Sequence, residues 1–580
     1  MSRCLSFSLI ILLIVACESS SSKKSIDEDS ELTSIAFERS KGDSTSTYQE
    51  VILFYKQLSD MDERVSIEEI YETDSGEPLH LVTFTPTELV ENPLKLMINN
   101  GIHPGESDGI DATMLLFKDL YKNDWTLPEG VQLFTIPVYN VGGALNRNSN
   151  SRTNQNGPAA YGFRGNARNY DLNRDFIKSD TKNSKSFFSI FHQVQPDVFV
   201  DTHVSNGADY QYTLTHLFTQ YNKLGGPLGK HLENKFIPSV EENLLSKGWP
   251  ITPYVNVFNE SPEKGFTQFN DSPRYSSGYT SLWNTLGLMI ETHMLKPYPK
   301  RVEGTFEMLK TLIDVSSQQK GEIQKTRRAS FNMFSDAEHY PLNFKVDSST
   351  YKQMNFLGYK LENMTSEITG LPRIKFNRDQ TYERPTQYYN TFSASDSVRI
   401  AKGYIIPQQW TNVIELLKWN NISYERFAED TVMQVEQYKI EGFKTRSSAY
   451  EGHYLHSNTK VSAKTLDKTV RQGDVFVEVD QPGMRYIIET LEPIAVDSFF
   501  NWNFFDSILQ QKEGFSPYVF EDLALEILKN DDALKLRFEE KKKKDTDFAN
   551  NWYAQLDWIH KQSKYYEYAH LTYPIVRVLN

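Results

Sequence analysis

The stretch Leu94-Lys-Leu-Met-Ile-Asn-Asn-Gly-Ile-His-Pro-Gly-Glu106 decides the fold. Leu94 to Ile98 is an apolar run of strand length, ended by two asparagines and Gly101, after which the chain turns through His103-Pro-Gly-Glu106. A helical segment through Ala112-Thr-Met-Leu-Leu-Phe117 follows. Further runs of the same kind stand at Val131–Val138, Asp197–Val200 and Leu286–Ile290. Continuous apolar runs separated by helices predict a sheet buried on both faces. The fold class expected is α/β, a mixed, largely parallel sheet with helices on both faces. Open sheets of this class bind ligands at the carboxyl ends of their strands, so the residues that end each run are the ones to weigh.

The first run ends in His103 and Glu106, bracketing a Pro-Gly turn that lets both side chains face one centre. A neutral imidazole with a carboxylate suits Zn²⁺, although His-x-x-acid pairs also arise by chance. The third run ends in Asp201-Thr-His203. A distant third ligand fits an open catalytic site, with three protein ligands and one free position; a satisfied histidine at a sheet edge fits His203 taken alone. The two-residue spacing puts Asp201 on the face of His203, where a carboxylate can fix the imidazole tautomer. The fourth run ends in Glu291, a carboxylate after an apolar stretch, which reads as a general base or as half of a salt bridge. Residues 143–170 form a long polar loop. Its end and the residues after it read Tyr161-Gly-Phe-Arg164-Gly-Asn-Ala-Arg168-Asn-Tyr-Asp171-Leu-Asn173-Arg174-Asp175, where clustered arginines pair either with an anionic ligand or with neighbouring aspartates.

The ends of the chain differ in character from this region. Cys4 and Cys17 are the only cysteines of 580 residues, so any metal in the remainder must be held by His, Asp and Glu. Arg3, the apolar run Leu5–Ala16 and the ending Ile14-Val-Ala-Cys17 have the layout of a secretory signal and resemble a bacterial lipobox. Residues 1–17 are therefore expected to be a signal peptide and 18–30 a flexible tether. The mature protein is expected to be extracytoplasmic and held to a membrane by a lipid on Cys17. Residues 31–325 read as the domain carrying the strand-end residues. Residues 330–580 read as a C-terminal α/β or β-rich module, with strands at Val475–Val479 and Tyr486–Ile488 and helices at Phe520–Leu528 and Leu534–Lys544. His453 and His456 are expected to be surface histidines in a polar loop. The balance of 62 Lys+Arg against 76 Asp+Glu, a formal charge of −14, argues against a nucleic-acid partner.

His103-Pro-Gly-Glu106, Asp171-Leu-Asn173-Arg174, Asp201-Thr-His203 and Glu291, in that order, resemble the M14 zinc carboxypeptidases over about residues 45–300. The resemblance implies one Zn²⁺ held by His103, Glu106 and His203, with Asp171 orienting His103. It implies Asn173 and Arg174 as the grip on a substrate's terminal carboxylate and Glu291 as the catalytic glutamate. Arg164 matches the arginine that steadies the oxyanion, with Arg168 and Arg152 as rivals. Tyr275 matches the substrate-capping tyrosine, with Tyr279 as its rival. Asp175 departs from the family, which has Asn there. The pocket floor is sought near Ser281-Leu-Trp283, which offers no acidic residue for a basic substrate side chain. The substrate implied is a peptide with a free C-terminal carboxylate. Two other functions fit parts of the sequence. One is a related zinc amidase or deacylase acting on acyl-amino acids or peptidoglycan stems. The other is a surface lipoprotein that binds glycans or peptides without cleaving them.

Overall fold

A computed structural model describes residues 34–579, so the expected signal segment and tether at 1–30 lie outside the described residues. The strands of the first part are β1 (Val65–Glu72), β2 (Pro78–Phe84), β3 (Leu94–Asn99), β4 (Val131–Ile136), β5 (Val198–Ser205), β6 (Leu214–Phe218), β7 (Ile251–Pro253), β8 (Phe266–Thr267) and β9 (Leu286–His293). All but β8 join one eight-stranded sheet in the order β1-β2-β4-β3-β5-β9-β6-β7. Its centre, β4-β3-β5-β9, is parallel, and antiparallel pairs border it at β2/β4 and β6/β9. The fold is thus the expected mixed α/β sheet. The apolar runs marked only its parallel centre, because β1 carries glutamates along a half-exposed edge and β6 and β7 are short.

Alternation along the central strands feeds two cores. Leu94, Leu96 and Ile98 of β3 and Val198 and Val200 of β5 face one core, shared with the helices Tyr48–Met61, Asp108–Lys122 and Tyr298–Gln318. Met97 and Phe199 face the other, shared with the helix Lys182–Val194. Period-two geometry then puts Asp201 and His203 on the face of Phe199, and Thr202 on the opposite face. Thr202 meets the helix Asp108–Lys122 at Gly109, where an added Cβ would lie 2.0 Å from Thr202 Oγ1 and 2.3 Å from its Cβ. That close approach needs a glycine, and it locks the helix that follows Glu106 onto the strand that carries His203.

The strand order also fixes where a ligand can sit. The chain leaves β3 toward β4 on one side and reaches β5 on the other, so the order switches between β3 and β5. A crevice opens there at the strands' carboxyl ends, and His103, Glu106 and His203 lie at those ends.

The C-terminal part contains β10 (His339–Val346), β11 (Lys352–Thr365), β12 (Pro372–Tyr389), β13 (Phe392–Arg399), β14 (Gly403–Ile406), β15 (Glu425–Arg426), β16 (Thr431–Thr445), β17 (His456–Val470), β18 (Val475–Glu478) and β19 (Thr572–Val578). Six of them form the sheet β15-β18-β14-β19-β16-β17, and β11 and β12 form a long hairpin whose β12 runs beside β8. The segment expected as a strand at Tyr486–Ile488 is instead part of the helix Met484–Leu491. Its β-branched residues carry a strand preference, which tertiary packing overrides: Arg485 to Leu491 are all buried, and Tyr486 stacks on Trp283 with centroids 6.0 Å apart. Trp283, Tyr279 and Phe187 share one core with Tyr404, Ile487 and Phe499, so the two parts are joined by a common hydrophobic core.

Two outcomes follow from the Asp108–Lys122 helix. Gly109→Ala is expected to destabilise the fold by about 1–3 kcal/mol, as overpacking does, read as a lower thermal midpoint in the metal-free protein. Asp111, on the same helix, is buried against Tyr298, and burial pushes its carboxyl from the usual 3.8 up to about 7. A raised folded-state value means stability is full below the unfolded value and is lost as pH climbs toward 7. Asp111→Asn should flatten that part of the stability–pH curve; a slope equal to wild type between about pH 4 and 7 would assign the loss to other groups.

Candidate active site

Three donors meet at the β3/β5 crevice. Suitable atoms of His103, Glu106 and His203 lie within 4.8 Å of one another, and all three residues are buried. His103 Nδ1 is 3.3 Å from Glu106 Oε1, and His203 Nδ1 is 3.1 Å from Glu106 Oε2. Each imidazole turns its other nitrogen to a carboxylate: His103 Nε2 is 2.9 Å from Asp171 Oδ1, and His203 Nε2 is 3.0 Å from Asp201 Oδ2. His103 Nδ1 is buried and has no hydrogen-bond partner. Two inward Nδ1 atoms backed by carboxylates, plus one carboxylate, make a donor set that fits a divalent cation with His₂Glu preference.

The backing carboxylates are themselves fixed. Asp201 accepts from Asn99 Nδ2 at 3.0 Å and from Ser276 Oγ at 2.5 Å. Asp171 accepts from its own turn at Asn173 N–H, 2.9 Å, and from Arg164 Nε, 2.9 Å. Burial alone would raise the Asp171 carboxyl, but His103 and the arginines Arg164 and Arg174 hold it well below the usual range. Glu106 is likewise held low against burial, by His103, Arg152 and His203.

Glu291 stands opposite His203 in the parallel β5/β9 register. Burial, with the charges of Glu106 and Asp201, pushes its carboxyl up to about 8 against the opposing pull of His203 and Arg164. It opens onto a cavity of about 600 Å³ whose lining includes the three donors together with Arg164, Asn173, Arg174 and Tyr275.

The structure separates the rivals the sequence left open. Arg164 reaches Asp171 and comes within 3.6 Å of Glu106, while Arg152 lies 3.0 Å from Glu106; both line the cavity. Arg168 turns away, donating to the Asp180 carbonyl and lying over Tyr170. Tyr275 lines the cavity with the Arg174 guanidinium 4.5 Å from its ring, whereas Tyr279 is buried in the core and donates to Asn420 Oδ1 at 2.6 Å. Asn173 is held by Ser276 N–H, which donates to its Oδ1 at 3.0 Å. Asp175 is away from the cavity, in a buried pair with Lys178 at 2.6 Å.

Two expectations are corrected. Ser281, Leu282 and Trp283 do not floor the cavity; the end of the helix Ser276–Ser281 carries them into the core beneath Tyr486. Leu217, Tyr254, Phe269 and Met289 line the cavity instead, and nothing in their local sequence announced it. His456 is not a surface residue but is buried in β17, while His453 is half-buried in the turn before it. His456 is buried beside Asp506 at 3.0 Å, and His453 lies 2.8 Å from Asp180 of the first part.

No family model matches the chain. Carboxypeptidase 2 of Trichophyton rubrum is 20% identical over 435 residues, spanning 71% of this chain and 74% of its own. Carboxypeptidase 2 of Trichophyton equinum is 20% identical over 425 residues, 70% of this chain and 73% of its own. An aligned length of 435 residues runs beyond residue 325 into the C-terminal part, wherever it begins. Among solved structures, a metallo-carboxypeptidase from Burkholderia cenocepacia aligns at 18% identity over 47% of this chain and 69% of its own, with a TM-score of 0.36, a superposition too loose to add to the sequence relation. That relation and the ordered residues at the strand ends point the same way: the chain is similar in sequence to carboxypeptidases and brings a His-Glu-His donor set together at the ends of its central strands.

Proposed function

We propose that the protein is a zinc-dependent carboxypeptidase that removes the C-terminal residue of extracytoplasmic peptides. The observation that carries this reading is the convergence, on one cavity, of the His103–Glu106–His203 donor set, Glu291 and the Asn173–Arg174 pair. His103, Glu106 and His203 would hold the ion. When bound, Zn²⁺ supplies Lewis acidity, polarising the scissile carbonyl and acidifying water.

The side chains perform the rest. Arg174 and Asn173 take the substrate's terminal carboxylate, and the charge-assisted grip of a guanidinium favours a chain end over an internal peptide bond. Arg174 keeps its charge although burial opposes it, because Asp171 and the phenols of Tyr275 and Tyr450 support it. Glu291 removes a proton from the attacking water and later gives it to the departing amine nitrogen, the double role of a general base and acid. Arg164, with Arg152 beside it, supplies positive charge where the carbonyl oxygen gains negative charge. Tyr275 lies beside Arg174, where it can close over the bound residue. The lining by Leu217, Phe269 and Met289 suits an apolar terminal side chain.

For location, the lipobox-like ending at Cys17 supports attachment to a bacterial membrane through lipid. Among the described residues, no helix is long and apolar enough to cross a membrane. Metabolic labelling with a radioactive fatty acid should mark the wild-type protein and not Cys17→Ala; equal labelling of both would remove the anchor.

Mass spectrometry of a peptide panel, digested with and without chelator, is the direct test. Loss of single C-terminal residues, abolished by chelation and restored by zinc, is expected, and C-terminally amidated peptides should survive. Release of acyl groups with no requirement for a free carboxylate would favour the amidase reading. Glu291→Gln should lower kcat by about 10²–10⁴ with zinc content unchanged. Arg174→Ala should lower kcat/KM for free-carboxylate peptides by about 10²-fold or more, the scale of truncating one partner of a charged pair. Asp171→Ala should weaken zinc binding about 10- to 100-fold in a competition titration, and unchanged affinity would remove Asp171 from its supporting role.

A further inference from the structure

The hairpin β16/β17 of the C-terminal sheet is paired from Thr431↔Val470 to Thr445↔His456. Its crown, residues 446–455, reaches the active-site part. Tyr450 and His453 exchange both backbone hydrogen bonds, Tyr450 N–H to the His453 carbonyl at 2.7 Å and His453 N–H to the Tyr450 carbonyl at 3.0 Å. The two residues between them, Glu451 and Gly452, have φ of 50° and 80°. This is a tight two-residue turn in which both central residues are left-handed, a setting that favours Asn and Gly. A glutamate there is in a strained conformation, so its side chain should be held by something specific.

It is. Glu451 Oε2 accepts the backbone N–H of Asp171 at 2.8 Å, a contact across 280 residues. Asp171 orients His103 through one oxygen and begins the turn that carries Asn173 and Arg174. The crown is seated closely enough that a Cβ on Gly452 would lie 2.8 Å from the Tyr170 hydroxyl. His453, on the far side of the turn, faces Asp180 at 2.8 Å.

Tyr450 makes the second link. Its ring stacks on Trp502, centroids 6.2 Å apart and 23° between planes. The Arg274 guanidinium lies over both rings, at 5.7 and 5.0 Å, and is ion-paired with Asp497 at 2.7 Å. Arg274 immediately precedes Tyr275, whose ring carries Arg174. The Tyr450 phenol favours the charged form of both Arg174 and Arg274.

We propose that Tyr450 and Glu451, supplied by the C-terminal part, are positioning residues of the substrate-carboxylate grip. Glu451 pins the backbone that sets the direction of Asn173 and Arg174, and Tyr450, stacked on Trp502 under the Arg274 guanidinium, steadies the residue before Tyr275, on whose ring Arg174 lies. The proposal rests on the carboxypeptidase reading and adds to it that the C-terminal part is needed for recognition of a chain end.

The test uses the whole mature chain, zinc-loaded, with an N-blocked dipeptide bearing a free carboxylate. Tyr450→Phe keeps the stack on Trp502 and removes the hydroxyl. Glu451→Ala removes the acceptor, and Glu451→Gln keeps a carbonyl that can take the Asp171 N–H. A grip that acts equally before and during reaction reads in KM. Tyr450→Phe and Glu451→Ala should therefore raise KM about 3- to 10-fold, the scale of one hydrogen bond, with kcat within about twofold. Glu451→Gln should restore KM to within about twofold of wild type. Melting temperature and zinc content, measured on each variant, separate this from general loosening. Unchanged KM in both Tyr450→Phe and Glu451→Ala, with wild type active, overturns this inference alone; so does a fall in kcat with KM unmoved. A wild type that releases no C-terminal residue overturns the carboxypeptidase reading and this inference with it.

Discussion

Four carboxylates, Glu106, Asp171, Asp201 and Glu291, converge on two imidazoles at the ends of adjacent strands, and the charge concentrated there governs the rest of the site. Carboxylates this close cannot all stay ionised in a poorly hydrated crevice without cations beside them. Three receive direct partners: Glu106 and Asp171 take His103 and the loop arginines, and Asp201 takes His203, Asn99 and Ser276. Glu291 receives none at hydrogen-bond distance among the described residues, and its carboxyl is the one pushed upward, to about 8. A divalent cation among the inward Nδ1 atoms would add the missing positive charge and draw that value down toward neutrality, where a proton-transferring group works best. The donor set, Glu291 and the arginines are therefore parts of one electrostatic arrangement.

The backbone that holds this arrangement is stiff where it must be. The strand carrying His203 is held in register by β3 as far as Asp201 and by β9 beside His203 itself, and by a helix packed so closely on Thr202 that only a glycine fits at 109. Glu106 is fixed from the other side, because its Oε2 accepts Val204 N–H at 3.0 Å. The ligand-bearing turn and the ligand-bearing strand thus brace one another directly. The arginines, by contrast, come from the long loop 143–170, and the Arg164 side chain is 44% exposed. Rigid ligands with adjustable cations suit a site that must admit and release a charged substrate.

Legibility in the sequence followed the same division. His103, Glu106, His203 and Glu291 could be read because each closes an apolar run, and a polar residue at the end of a buried strand has few other reasons to be there. The fold class followed from those same runs. The choice among Arg152, Arg164 and Arg168 could not be read, since loop conformation, not periodicity, decides which guanidinium faces the cavity. The apolar lining from Leu217 to Met289 was hidden because each residue also suits a core position. The helix at Met484–Leu491 was mistaken for a strand because short apolar runs with isoleucines carry the same local signal in both states.

Residues 446–455 show the limit most clearly. Nothing local to Tyr450-Glu-Gly-His453 points to Asp171, and the contact exists only because two sheets far apart in sequence share a core. That sharing has an energetic consequence. The stack of Trp283 on Tyr486, the bond from Tyr279 to Asn420, and the four hydrogen bonds of the Arg485 guanidinium, three of them to Leu224, Lys223 and Asn284, bury aromatic and polar groups that are costly to expose together. The C-terminal part cannot swing away from the site without breaking all of them, and the hairpin crown is seated against Asp171 by the same packing. A cavity wall braced from outside the sheet, as Glu451 braces Asp171, is then as well placed as one built within it, and the separation of the two parts along the chain is no guide to which of them shapes the cavity.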